Sequence, residues 1–135
     1  MAMTLPKSRL ATPPRGSAPA ELLALSEARG MTEGRTLYVT LEPAAHYTSP
    51  SPVTDALLDC GIGRVVAGIL DPDPQRAGQG LAALAEAGLD TLHLDHAPSR
   101  LLHEGYATRV TRGRPFVTLK LSLSADGMVG HAAPG

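Results

Sequence analysis

The sequence predicts an α/β fold, with a mostly parallel sheet layered between helices. Three observations carry that prediction. Short β-rich runs at 36–41, 64–70 and 91–94 alternate with helix-compatible stretches. The run 64–70 (RVVAGIL) is nearly continuous apolar, the pattern of a strand buried on both faces. Helical stretches close at glycines, namely Gly30, Gly61, Gly88 and Gly113. Strands joined through helices favour parallel pairing and right-handed crossovers.

Residues 1–17 hold Pro6, Pro13, Pro14 and Gly16 among polar residues and read as a disordered leader. A helix is predicted over 18–29, with Leu22, Leu25 and Ala28 on one side. A strand follows at 36–41 (TLYVTL), then a polar, proline-rich loop over 42–52. Ser51 offers an N-cap and Pro52 a first helical residue for a helix reaching Cys60. After the strand 64–70, Asp71-Pro72-Asp73-Pro74 is turn chemistry. A third helix is predicted over 77–87, a short strand over 91–94 and a fourth helix over 98–112. Beyond Gly113 the pattern changes. Val117, Leu119, Leu121 and Leu123 alternate with Thr118, Lys120, Ser122 and Ser124, as in a strand with one buried face. Asp126-Gly127 then turns the chain. A boundary at Gly113 therefore separates a domain over 18–113 from a short segment over 114–135.

The 135 residues suffice for one domain, and 43% hydrophobic content fits a globular chain. Aromatics are only 3%, so Ala, Leu and Val must fill the core. A formal net charge of −1 gives no basic excess for tracking phosphates, which argues against nucleic acid as a partner. One cysteine, Cys60, excludes an intrachain disulfide and fits the cytoplasm. No apolar run reaches membrane-spanning length, and no signal-peptide pattern opens the chain.

Several stretches stand together in a familiar order. They are Thr36 to Pro43 (TLYVTLEP), Thr54-Asp55-Ala56, Gly61-Ile62 with Arg64-Val65-Val66, and Asp71 to Pro74 with Gly78 and Gly80. Glu104-Gly105-Tyr106 and Arg114 to Lys120 (RPFVTLK) complete the set. In this order and spacing, the chain resembles the bifunctional deaminase/reductase family of riboflavin biosynthesis over about 19–130. The resemblance implies a cytidine-deaminase-like three-layer α/β/α fold. With only 18 residues before Pro19, it also implies truncation at the N-terminal edge of the sheet.

The family's activities are zinc-dependent hydrolytic deamination of a ribosylaminopyrimidine phosphate and NADPH-dependent reduction of its ribosyl group. Its zinc is held by a His-Ala-Glu histidine and two cysteines, the first in a Pro-Cys. The metal activates a water, and the glutamate moves its proton. By resemblance, Pro19-Ala20-Glu21 stands at His-Ala-Glu, Pro43-Ala44 at Pro-Cys and Val53 at the second cysteine. Pro19, Ala44 and Val53 have no lone pair to give a metal. Without zinc, water keeps a pKa of about 15.7 instead of about 7. Deamination is therefore expected to be lost, with no metal site and no cofactor expected in this chain. The segment 114–135 resembles the opening strand and turn of the reductase domain. There Lys120 would lie near substrate, and Leu123, Ser124, Asp126 and Gly127 near NADPH in an incomplete site.

Each candidate residue has a plainer reading beside the functional one. Glu21 is a relic proton shuttle or a first-turn glutamate favoured by the helix dipole. His46 contacts substrate by resemblance or is a solvated loop histidine. His93 and His96, beside Asp95, suggest a substitute metal site, but side chains three apart on a strand point to opposite faces. His103 reads as a surface position inside the last helix, and Cys60 as a small buried hydrophobe. Gly78 and Gly80 fit a turn or helix start better than a phosphate loop. Lys120 fits the solvated face of an amphipathic strand.

The leading functional reading is a degenerate member of this family with an inactive deaminase. One rival is a non-catalytic scaffold that forms a homo-oligomer or acts on a complete reductase partner. The other is a gene fragment without function. A pyrimidine ribosyl phosphate is a ligand by resemblance only.

Overall fold

A computed structural model of the chain describes residues 18–28, 30–45 and 53–129. Its element order is α1 (Ala20–Glu27), β1 (Thr36–Leu41), α2 (Val53–Asp59), β2 (Arg64–Ile69), α3 (Gln79–Glu86), β3 (Asp90–His93), α4 (Ala97–Leu102) and α5 (Glu104–Arg112). The three strands form one parallel sheet in the order β1-β2-β3. Tyr38 pairs with Val66, and Val66 in turn with Leu92.

β2 takes the centre because it is the strand with side chains fit for burial on both faces. Val65, Val66, Ala67 and Ile69 are all core residues. Val65 and Ala67 join Leu25, Val53, Leu57, Ile62, Leu81 and Leu84 in the main apolar cluster. That cluster draws on α1, α2 and α3, which explains how a core poor in aromatics closes on aliphatic side chains. Gly68 lets α4 approach β2, since a Cβ there would collide with Ser99 and the Thr40 carbonyl. An ion pair of 3.0 Å between Arg64 and Asp90 joins the starts of β2 and β3.

The predicted α/β class and parallel sheet are therefore present. The elements differ in detail, each for a local reason. The first helix is shorter than 18–29, and Gly30 after it has φ +77°. The proposed cap at Ser51-Pro52 lies outside the described residues, as does the leader over 1–17. α3 begins at Gln79 and not at residue 77, because Gly78 adopts φ +82° and interrupts the helical path. The helix predicted over 98–112 is two helices, broken at His103. The break lets each half follow its own support: Ser99 of α4 is buried against β2, while Tyr106 of α5 reaches Asp71.

The amphipathic strand predicted beyond Gly113 is not a strand. Residues 115–123 run without a ladder, and the apolar side chains of their alternation are exposed. A strand needs a neighbour to pair with, and none of the described residues supplies one.

Candidate functional site at the carboxyl edge of the sheet

Parallel strands deliver all their carboxyl ends to one edge, where the following loops meet. Thr40 ends the polar face of β1, Glu42 to Ala45 follow it, and Asp71 follows β2. In such a layered fold the helix after a strand runs back antiparallel to it, so α2 starts at this same edge. Glu21, in the first turn of α1, also belongs here, because its charge acts on His103, which is hydrogen-bonded to Thr40.

The best-satisfied group at this edge is Glu42. Its Oε2 accepts the backbone amides of Asp71 at 2.9 Å and Gly78 at 2.8 Å, and Oε1 accepts that of Leu81 at 3.0 Å. Asp71 Oδ1 accepts the Asp73 amide at 2.9 Å, forming an Asx turn, and the Tyr106 hydroxyl at 2.8 Å. Burial raises the Tyr106 pKa, and the hydrogen bond to Asp71 raises it further. The Arg109 guanidinium lies 5.4 Å from the Tyr106 ring centroid. His103 Nε2 and Thr40 Oγ1 are 2.9 Å apart. Burial lowers the His103 pKa, against the opposing pull of Asp71 and Glu21. His103 is thus a half-buried junction residue tethered to β1, and not a surface position inside a helix.

Of the candidates read from sequence, Glu21 is half-buried at this edge. His46 lies outside the described residues. Lys120 and Leu123 are exposed on the unpaired stretch, away from any strand. Ser124, Asp126 and Gly127 do form a turn. The Gly127 amide donates to the Ser124 carbonyl at 2.9 Å, the Ser124 amide donates to the Met128 carbonyl at 3.0 Å, and the Ser124 hydroxyl donates to the Asp126 carboxylate. Gly127 has φ +80°, the conformation for which glycine is suited. The hydrogen bond from Ser124 lowers the Asp126 pKa. His93 and His96 are exposed, and His96 Nδ1 is 3.0 Å from Ser99 Oγ.

The sequence marks Glu42 and Tyr106 only through the resemblance, gives Asp71 a turn role that its Asx turn bears out, and gives Thr40 no role. A signal for Glu42 existed. A carboxylate between an apolar strand and a proline has few ways to stay hydrated, and amide donors downstream are one remedy. Their identity depends on tertiary contacts 29 to 39 residues away.

No protein-family model matches the chain. Individual proteins do. It is 40% identical over 119 residues to the riboflavin biosynthesis protein RibD of Haemophilus influenzae, covering 87% of this chain and 32% of that protein. It is 42% identical to RibD of Escherichia coli, with the same coverage. Among solved structures, Acinetobacter baumannii RibD superposes with a TM-score of 0.75 at 35% identity, over 88% of this chain and 34% of that one. Over most of its own length, this chain is similar to RibD proteins. A Thermotoga maritima diaminohydroxyphosphoribosylaminopyrimidine deaminase/5-amino-6-(5-phosphoribosylamino)uracil reductase is similar at TM-score 0.73 and 37% identity, over 86% of this chain and 34% of that one. The chain spans about a third of the length of the RibD proteins it matches.

The zinc implied for this family does not fit the residues present. Pro19 directly precedes α1, Ala44 lies in the loop after β1, and Val53 opens α2. None carries a donor atom. Val53 is 3% exposed and packs within the main apolar cluster. Among the described residues, no group of three or more His, Cys, Asp or Glu side chains is placed to hold a metal ion. Nor is any helix among them long and apolar enough to cross a membrane.

Proposed function

We propose that this chain is a RibD-family domain that has kept the deaminase framework and lost zinc-dependent deamination. The observation that carries the reading is Val53. Where the family resemblance expects a thiolate, an apolar side chain is packed into the core. A buried valine both lacks a donor and fills the space that a thiolate would need. Pro19 and Ala44 support the same reading at the other two positions. Glu21 keeps the family's glutamate, but with no metal-activated water its carboxylate has no proton to shuttle.

In this reading the domain is a non-catalytic scaffold in the riboflavin pathway, acting in the cytoplasm. The substrate class named for the Thermotoga maritima relative, a phosphoribosylaminopyrimidine, is then not turned over here. Residues 114–135 correspond to the opening strand and turn of a reductase domain. There Lys120 would face substrate, and Leu123, Ser124, Asp126 and Gly127 would face NADPH, once neighbouring strands pair with this stretch.

Metal analysis of the purified, tag-free chain tests the reading, together with ammonia release from the deaminase substrate. The expected result is no stoichiometric zinc and no ammonia. One zinc per chain, lost on substituting His46, His93 or His96, would overturn it.

A further inference from the structure

Glu42 is 6% exposed, and none of the ion pairs among the described residues includes it. A buried carboxylate survives only when hydrogen bonds replace its water. Here three backbone amides do so, and they come from three separate places. Asp71 follows β2, Gly78 precedes α3, and Leu81 lies in the first turn of α3. The positive end of the α3 dipole adds to the stabilisation. Next to this cradle, Gly80 presses α3 against the chain after β1, so closely that a Cβ would collide with the Pro43 carbonyl oxygen. Pro43 itself is fully buried. One side chain thus joins the ends of β1 and β2 to the start of α3, beside the Pro43-Ala44 loop.

We propose that Glu42 is the positioning residue of the carboxyl edge. It acts as an internal anion that fills the amide cradle of Asp71, Gly78 and Leu81 and fixes the Pro43-Ala44 loop with no metal ion. The absence of a metal ion rests on the proposed loss of zinc; the role of the carboxylate does not. The inference also assigns the Gly78–Gly80 segment. Two amides that a phosphate would seek there, those of Gly78 and Leu81, are already taken from within the chain.

Amide hydrogen exchange on the full chain tests this. Glu42→Gln keeps the size of the side chain but presents an NH2 group to N–H donors. It should speed exchange at Asp71, Gly78 and Leu81 by about tenfold or more, the scale expected for losing charge-assisted hydrogen bonds. Val65 and Val66 in β2 should change far less. In Glu42→Gly, added formate should refill the cradle and restore protection at those three amides, while chloride should not. If Glu42→Gly is unfolded, formate should return its protected spectrum. Three results would overturn the proposal: equal loss at β2 and at Gly78, full protection in Glu42→Gln, or no response to formate. A chelator should leave the parent chain unchanged. Lost protection on chelation would overturn the metal-free part, and with it the preceding reading, while the variants still judge the carboxylate.

Discussion

β2 and the stretch 117–123 are both rich in β-branched and aliphatic residues, yet β2 is paired on both sides and 117–123 on neither. Val65 and Ala67 are 0% exposed. Val117, Leu119, Leu121 and Leu123 are 78%, 77%, 59% and 53% exposed. The difference lies in what surrounds the two stretches. β2 follows α2 and precedes α3, whose apolar sides close over it, and β1 and β3 take up its backbone amides and carbonyls. Residues 117–123 follow Gly113, which has φ +64° and turns the chain away from α5. At the start of this stretch, Phe116 and Val117 border an open groove of about 660 Å³ with Leu101, Thr108 and Arg112. An apolar alternation is thus a capacity for pairing, and only neighbouring backbone turns it into a strand.

The comparison can be broken most sharply by placing one charge in each stretch. Val65→Asp buries an unpaired carboxylate at the centre of the sheet and should cost more than about 4 kcal/mol, enough to abolish folding. Leu121→Asp should change stability by no more than about 0.5 kcal/mol. Urea unfolding followed by circular dichroism reads both. A large loss in Leu121→Asp would mean that the stretch is packed in solution. Leu57→Ala, in a side chain that is fully buried, should fall between them at about 2–5 kcal/mol.

Limited trypsin digestion sharpens the same contrast without changing the sequence. Cleavage should come first after Arg112, since Arg114 precedes Pro115 and that bond resists trypsin, and should leave a folded core containing β1, β2 and β3. Protection of Leu119 to Leu123 from hydrogen exchange, in a chain shown to be monomeric, would contradict this. Protection only in a dimer would instead identify a second copy as the missing neighbour.

The smallest effect concerns what holds α5, the last element before the free stretch, to the sheet. Burial lowers the His103 pKa below its ordinary 6.5, so the unfolded chain binds more protons than the folded one between the lowered value and 6.5. The contribution of His103 is present above about pH 6.5 and is lost as pH falls through the folded value. Thermal midpoints should therefore show a slight decline below that pH which His103→Gln removes. An unchanged slope in the variant would show that the Thr40–His103 contact does not bear on stability.

Much of the fold follows from local sequence. The apolar run of β2, the glycines at 30, 61 and 88, and the alternation of helix and strand are short-range properties that backbone sterics and burial enforce wherever the chain goes. The absence of donor atoms at Pro19, Ala44 and Val53 is equally a property of the residues themselves. Other features were decided only when distant segments met. The break at His103 and its link to Thr40 span 63 residues, and the Glu42 carboxylate finds its amides up to 39 residues away. A side chain's hydrogen-bond partners depend on which elements the core brings together, and nothing in the flanking residues encodes that. The same reason governs 117–123. Its sequence sets one apolar face and one polar face, but whether that face is covered depends on backbone that must come from elsewhere, because a strand is a relation between two segments and a single segment specifies only half of it.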